Sequence, residues 1–148
     1  MFEKEMHAGW GDMDFNSHMR NTAYLDKSGD VRMMFFSENG FSMNEFIRQR
    51  IGPVIMKDEV EYFREISLLG KIRITLSIAG LSDDGSRFLM RNDFFLENGV
   101  LAARVTSMGG WMGLVERKLL VPPEALLNAV RSLSRTGDFQ ILPSAMKE

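Results

Sequence analysis

The pattern of hydrophobic and polar residues divides the chain into a helical N-terminal part and a C-terminal part dominated by strands. From about residue 21 to residue 36, apolar side chains recur at helical spacing and predict a long helix with one broad buried side. They are Tyr24, Leu25, Val31, Met34, Phe35 and Phe36. Asn39-Gly40 is a typical helix stop. Gly29 lies inside this helix, and we expect it to mark close packing against the backbone.

Shorter elements flank the long helix. A strand over residues 4–11 leads into a polar turn at residues 12–17. Ser42 and Glu45 have the spacing of a capping box, so a second helix begins at Ser42, and Gly52-Pro53 is expected to end it. A third helix opens at Pro122-Pro123-Glu124, because proline is tolerated in a first turn, and runs to about Leu133.

Four strands are predicted between the second and third helices. Each is rich in apolar and β-branched residues and is bounded by a turn containing Gly or Asp. They cover residues 54–64, 71–81, 87–96 and 100–114.

This order of elements indicates an α+β domain whose antiparallel meander packs one face on the long helix. We expect one domain over residues 1–133 and a loosely held C-terminal tail over residues 134–148. An open sheet of this size leaves exposed edges, so at least a dimer is expected.

Composition narrows the possible functions. The formal net charge is −2 with 26% charged residues, which disfavours nucleic acid as a partner. The absence of cysteine excludes a disulfide framework, a thiolate nucleophile and sulfur-ligated zinc. The acidic N-terminus does not resemble a secretory signal, and no apolar run approaches the length of a membrane span. A soluble cytoplasmic protein is therefore expected.

Several common sites are absent from the sequence. There is no Gly-x-Ser-x-Gly elbow, no phosphate-binding or dinucleotide-binding glycine loop, and no His-Glu-x-x-His pair. His7 and His18 are the only histidines, and a metal site would need one or both joined by carboxylates. We expect neither a metal nor a redox cofactor.

The strongest candidate for chemistry spans residues 11–24, where Asp12, Asp14, His18 and Asn21 precede or open the long helix. The first amides of a helix are unpaired and carry partial positive charge, so they can stabilise an oxyanion. A carboxylate just upstream can attack a carbonyl or deprotonate a water. The arrangement suits acyl transfer.

Residue chemistry alone also allows a structural interpretation, and favours it. Asp12 and Asp14 are typical of turns in which the side chain bonds the backbone. His18 is as well explained by packing, and Asn21 by helix capping.

The same residues resemble the hotdog-fold thioesterases of the 4-hydroxybenzoyl-CoA thioesterase-like group. Trp10-Gly11-Asp12-Met13-Asp14, His18, Asn21 and Tyr24-Leu25 match that group in order and spacing. Further matches are Asp30-Val31-Arg32, Val60-Glu61-Tyr62-Phe63-Arg64 and Leu69-Gly70-Lys71, so the likeness covers roughly residues 5–125. It implies a hotdog fold, in which an antiparallel sheet wraps around a long central helix.

The resemblance also implies a reaction, the hydrolysis of an acyl-CoA or acyl-carrier thioester. Asp14 takes the catalytic position, either as a nucleophile that forms a mixed anhydride or as a general base on water. The backbone N–H of Asn21 is the oxyanion donor, His18 helps to hold the loop and orient the acyl carbonyl, and Asp12 is structural. A homodimer or homotetramer is implied.

The acyl pocket is expected between the long helix and a neighbouring subunit. Its walls would be formed by Phe15, Met19, Tyr24 and Phe63. Such a pocket suits an apolar acyl or aryl group, although all four residues would serve equally well as core.

Two departures from the family pattern bear on activity. Arg20 replaces a frequent second Asn and is placed to pair with Asp12 or Asp14, which would lower the basicity of the carboxylate. The turn 83–86 is acidic where some relatives place basic residues near the CoA phosphates. Other cations on the strands are expected to be ordinary solvated residues rather than phosphate ligands. These are Lys71, Arg73, Arg87 and Arg91.

Two other functions are weighed against hydrolysis. A non-catalytic hotdog module that binds an acyl thioester or a protein partner is the main alternative. A hotdog hydratase or dehydratase ranks last, because residues 24–36 contain no histidine.

Overall fold

The computed structural model describes residues 1–146. Within these residues the structure has ten helices and strands and a short 3-10 turn at Trp10–Asp12. In order they are β1 (Phe2–His7), α1 (Asn21–Glu38), α2 (Met43–Gln49), β2 (Ile51–Tyr62), β3 (Lys71–Ser82), β4 (Arg87–Leu96), β5 (Leu101–Gly113), β6 (Leu119–Leu120), α3 (Glu124–Arg131) and β7 (Arg135–Leu142).

The central strands of the sheet are consecutive and antiparallel, in the order β3, β4, β5. β2 pairs with β5 rather than with β3, so the predicted meander of four consecutive strands is wrong in the position of its first strand. Apolar alternation identifies a strand but not its partner, and the irregular segment 63–70 is too long to form a tight hairpin. β1 pairs with the first half of β3, and this topology leaves one side of β2 as an open edge.

α1 packs on one face of the sheet, which confirms the α+β class. Every second residue of β4 points to this helix face, including the buried residues Phe88 and Phe94. At one end Trp111 lies 5.5 Å from Phe36 and 5.3 Å from Phe88, measured between ring centroids. The Trp111 indole N–H donates to the Gly85 carbonyl at 3.0 Å. The long helix is therefore held by an aromatic core.

Three predicted boundaries need correction: the span of β1, which covers Phe2–His7 rather than residues 4–11, the end of α2 and the start of β2. α2 ends at Gln49, where Arg50 adopts a left-handed φ of 55°, so Gly52-Pro53 does not end the helix but lies within β2. β2 is an edge strand, and an edge strand can contain proline, because an N–H on its outer side has no partner strand to bond.

Residues 135–146 of the predicted tail are not loosely held, and its residues 147–148 lie outside the described residues. Residues 135–142 form β7, which runs parallel to the second half of β3, and the Arg91 guanidinium donates to both carboxylate oxygens of Asp138 at 2.9 and 3.1 Å. Further along, Ser144 donates to Asp84 and the Ala145 amide donates to the Ser86 hydroxyl. The segment lacks a clean apolar alternation, so the sequence alone does not predict this strand.

In the part of the chain that the structure describes, no helix is long and apolar enough to cross a membrane.

Candidate functional site

The predicted site loop is a small hairpin that leads directly into α1. The Arg20 amide donates to the Asp12 carbonyl and the Asp14 amide donates to the His18 carbonyl, each at 2.8 Å. Between these bonds Met13 pairs with Met19, and the tip turns at Ser17, whose φ is 65°. The hairpin therefore folds Asp14 back beside the first residues of the helix.

Asp14 uses only one of its carboxylate oxygens to build this turn. Its Oδ1 accepts the amides of Asn16 at 2.8 Å and His18 at 3.1 Å, whereas Oδ2 has no protein donor within residues 1–146. The side chain is exposed to solvent. The structural and the reactive interpretations of Asp14 are thus compatible, because the turn fixes one oxygen and leaves the other free.

Asp12 has a different environment. Its Oδ2 accepts the Gly9 amide at 2.8 Å and lies 2.9 Å from the Lys27 ammonium on α1. Partial burial raises the pKa of Asp12, but the hydrogen bonds from Lys27 and Gly9 and the charges of Lys27 and Arg20 outweigh it and hold the pKa below its ordinary value. Asp12 ties the loop to the helix.

Replacing Asp12 by alanine is expected to lower the free energy of unfolding by about 1–3 kcal/mol at neutral pH. Because the folded-state pKa is lowered, the stabilisation is complete above the unfolded pKa of about 3.9 and is lost as the pH falls through the folded value. Urea unfolding of wild type and Asp12→Ala at pH 7 and near pH 3 measures the difference. A gap in stability that is equally large at both pH values would contradict this role.

Arg20 does not form the ion pair that the sequence suggested. Its Nε donates to the Thr22 hydroxyl at 2.9 Å, and no carboxylate lies within ion-pair distance among residues 1–146. The residue has φ −73° and ψ 156°, the extended conformation typical of the position before a helix. Among residues 1–146, Arg20 therefore does not hold Asp14 in a salt bridge.

Asn21 is the first helical residue and not the cap. Its side-chain Oδ1 accepts the Thr22 amide at 3.0 Å, while the capping position belongs to Arg20, whose side chain makes no capping bond. Within the described chain the Asn21 backbone N–H has no acceptor. A free donor at the positive end of an 18-residue helix is suited to bind an oxyanion.

A cavity of about 270 Å³ lies between the start of α1 and the end of β2. Its lining consists of His18, Met19, Tyr24, Tyr62, Phe63, Arg64 and Glu65. The Tyr24 ring is buried and meets the Tyr62 ring edge-on at 5.1 Å. Burial, with smaller effects from Tyr62 and nearby carboxylates, raises the pKa of Tyr24 to about 12, so its phenol is neutral at physiological pH.

The structure brings some of the predicted site residues together and separates others. His18, Met19, Tyr24 and Phe63 share the cavity, whereas Phe15 projects fully into solvent at the hairpin tip. Asp14 and Asn21 belong to the adjoining hairpin and helix start rather than to the cavity wall. The sequence does not predict Tyr62, Arg64 and Glu65 as site residues, although residues 62–64 lie in a segment that resembles the family.

Lys71, Arg73 and Arg91 are paired with carboxylates, but only Lys71 and Arg73 are solvated as expected. The Arg91 side chain is 13% exposed, and the Arg87 Nε is buried without a partner among residues 1–146. Arg73 lies 3.4 Å from Glu3 and Lys71 lies 3.7 Å from Glu5. Arg64 differs, because among residues 1–146 its guanidinium donates only to the backbone carbonyl of the preceding residue, Phe63. It is a cation without a carboxylate partner at the edge of the cavity.

Comparison with known proteins places this geometry in a family. The thioesterase-like superfamily matches residues 8–130, and a search of curated proteins finds no match. A Staphylococcus aureus protein, SAV2348, solved in complex with CoA, has a TM-score of 0.81 at 20% identity over 99% of this chain and 89% of its own.

Two thioesterases of known structure are also similar. Slr0204, a 1,4-dihydroxy-2-naphthoyl-CoA thioesterase from Synechocystis, has a TM-score of 0.79 at 18% identity over 89% of this chain and 96% of its own. The gentisyl-coenzyme A thioesterase BH1999 has a TM-score of 0.77 at 20% identity over 86% of this chain and 98% of its own. The chain therefore belongs to the thioesterase-like superfamily and adopts its hotdog fold.

Proposed function

We propose that the protein hydrolyses the thioester of an acyl-CoA, or of an acyl-carrier conjugate. The strongest support is that, among residues 1–146, one carboxylate oxygen of Asp14 has no protein donor and the Asn21 N–H at the start of α1 has no acceptor. One group supplies a base or nucleophile, and the other supplies the oxyanion site. Membership of the thioesterase-like superfamily supports the same reaction.

In the proposed reaction the thioester carbonyl oxygen accepts the Asn21 N–H. Asp14 either takes a proton from a water that attacks the carbonyl carbon, or attacks that carbon itself to form a mixed anhydride that water then hydrolyses. In both routes the carbon–sulfur bond breaks, its electron pair leaves with sulfur, and the thiolate is protonated to the thiol. The Asx turn keeps Asp14 oriented throughout, because Oδ1 stays bonded to the Asn16 and His18 amides.

The proposed substrate carries an apolar or aryl acyl group on CoA. The cavity beside the hairpin contains Met19 and the aromatic residues Tyr24, Tyr62 and Phe63, which suit such a group. The CoA bound to SAV2348 and the aryl-CoA substrates of the two similar thioesterases agree with this choice. Arg64 is the cation we assign to the CoA phosphates, since no carboxylate neutralises it in the described chain.

The proposal includes a homodimer or homotetramer in the cytoplasm. The outer edge of β2 carries unpaired backbone groups, and Tyr62 at its end is about half exposed (53%). Two copies that pair along this edge would satisfy the backbone and cover the ring.

Release of CoA thiol from a panel of short, long and aromatic acyl-CoA esters tests the proposed function. Because the protein has no cysteine, a thiol reagent in the assay reports only the released CoA. We expect turnover with at least one apolar or aromatic ester. If an ester binds tightly but is recovered intact after long incubation, the protein is a non-catalytic binding module and the proposal fails.

A further inference from the structure

Glu65 is a carboxylate that faces the candidate site from a different part of the chain. After β2 ends at Tyr62, the amides of Phe63 and Arg64 both donate to the Ala102 carbonyl, at 2.8 and 3.0 Å. The chain then turns inward at Ile66, which is 1% exposed. The backbone at Glu65 is therefore held between the two bonds to Ala102 and the buried Ile66.

The segment that carries Glu65 is also bonded to the hairpin that carries Asp14. The Met19 amide donates to the Ile66 carbonyl at 2.8 Å, and His18 forms a backbone bridge with Ser67. These two pairings align the segments side by side. As a result, the His18 Nε2 lies 3.0 Å from the Glu65 Oε2, at the wall of the cavity.

This contact determines which ring nitrogen of His18 can exchange a proton. A carboxylate accepts but does not donate, so the nitrogen that faces Glu65 must carry a hydrogen. Nδ1 then remains as the atom that binds or releases a proton. His18 is also joined to Asp14, because its amide donates to Asp14 Oδ1 at 3.1 Å.

We infer that Glu65 is a positioning residue, which holds the His18 imidazole through Nε2–H so that Nδ1 serves the leaving group. This inference rests on the proposed thioester hydrolysis. When the carbon–sulfur bond breaks, its electron pair stays on sulfur and the proton on Nδ1 passes to the thiolate, leaving a neutral ring that still donates from Nε2 to Glu65. Glu65 would thus orient His18 in the way that the third member of a catalytic triad orients the acid or base beside it.

The contact is suited to a test because it contributes little to folding. The Glu65 side chain is 72% exposed, and exposed ion pairs stabilise proteins only weakly. Glu65→Ala removes the acceptor, whereas Glu65→Gln keeps an acceptor oxygen without the charge. Glu61→Ala is the matched control, since Glu61 is an exposed glutamate of β2 on the opposite face of the sheet.

Imidazole NMR on 15N-labelled protein measures the contact without any assay of activity. The protein has two histidines, and the exposed His7 on β1 serves as the internal reference. At low temperature we expect a slowly exchanging Nε2–H proton for His18 in wild type, Glu61→Ala and Glu65→Gln, and its loss in Glu65→Ala. A His18 proton that exchanges as fast as that of His7 in wild type would overturn the inference.

Kinetics on the best acyl-CoA ester measure the functional consequence. Glu65→Ala is expected to lower kcat about tenfold, less than the 10²–10⁴-fold typical of losing the acid or base itself, with KM within twofold. Glu65→Gln should recover most of that loss. Unchanged kcat in Glu65→Ala would overturn the inference while leaving thioester hydrolysis intact. A wild type that hydrolyses no ester would overturn the proposed function and the leaving-group role together.

Discussion

Asn21→Pro is expected to lower kcat for thioester hydrolysis about 10²–10³-fold, the usual cost of removing one oxyanion donor. Proline removes the backbone N–H that we assign to the oxyanion, together with the Asn21 side chain and its bond to the Thr22 amide. The Asn21 N–H has no acceptor within the described protein, so its removal breaks no bond of the fold. The loss is expected in kcat more than in KM, because the donor acts on charge that develops in the transition state.

The first helical position accepts proline without strain. Proline is favoured there, because its fixed φ suits a helix and the missing N–H is unpaired anyway. The residue before a proline must be extended, and Arg20 already has φ −73° and ψ 156°. Thermal unfolding should therefore be nearly unchanged in Asn21→Pro.

Asn21→Ala is the matched control for the amide. It removes the side chain, and with it the bond to the Thr22 amide, but keeps the backbone N–H. Steady-state rates within about threefold of wild type are expected for Asn21→Ala. If alanine and proline reduce kcat equally, the side chain matters and the oxyanion role of the backbone amide is wrong.

Asp14→Asn is expected to reduce kcat by about 10³-fold or more, since it removes either the nucleophile or the general base. Asparagine has the same shape and retains an oxygen that can accept the Asn16 and His18 amides, so the turn should persist. Stability and substrate binding are therefore expected to change little.

A charge-matched control separates chemistry from net charge. Asp26 is an exposed aspartate on α1, outside the hairpin, and Asp26→Asn should retain wild-type rates of thiol release. Equal activity of wild type and Asp14→Asn would show that Asp14 only builds the turn. A loss in Asp26→Asn as large as in Asp14→Asn would point to long-range charge instead.

The sequence predicted α1 well, because the signals there are local. The apolar period begins near Asn21, and Asn39-Gly40 supplies the stop, so the observed helix Asn21–Glu38 differs from the prediction by two residues. The glycine-containing turns likewise bounded β4 correctly. By contrast, the pairing of β2 with β5 and of β7 with β3 joins residues about 40–60 positions apart. Local sequence patterns do not indicate which distant strand a given strand pairs with.

At the candidate site, the resemblance to a family makes Asp14, His18 and Asn21 candidates, but the sequence does not predict their contacts. Residue chemistry presented the turn and the catalyst as alternatives for Asp14, and the structure shows a turn that leaves one oxygen free. The sequence also does not show whether the Arg20 guanidinium points to the carboxylates of the hairpin or to the Thr22 hydroxyl, which it bonds in the structure. The contact of His18 with Glu65 joins residues 47 positions apart, and it follows only from the pairing of their two loops.

The structure of the Asp14→Asn protein with an uncleaved acyl-CoA ester would test the proposed site at the level of its atoms. The thioester carbonyl oxygen is predicted to lie about 2.7–3.1 Å from the Asn21 amide nitrogen, with the carbonyl carbon facing the side chain at position 14. The acyl group should occupy the cavity beside Tyr24 and Phe63. An ester bound with its carbonyl turned away from the start of α1, or bound on another face of the protein, would contradict the proposed roles of Asp14 and the Asn21 amide.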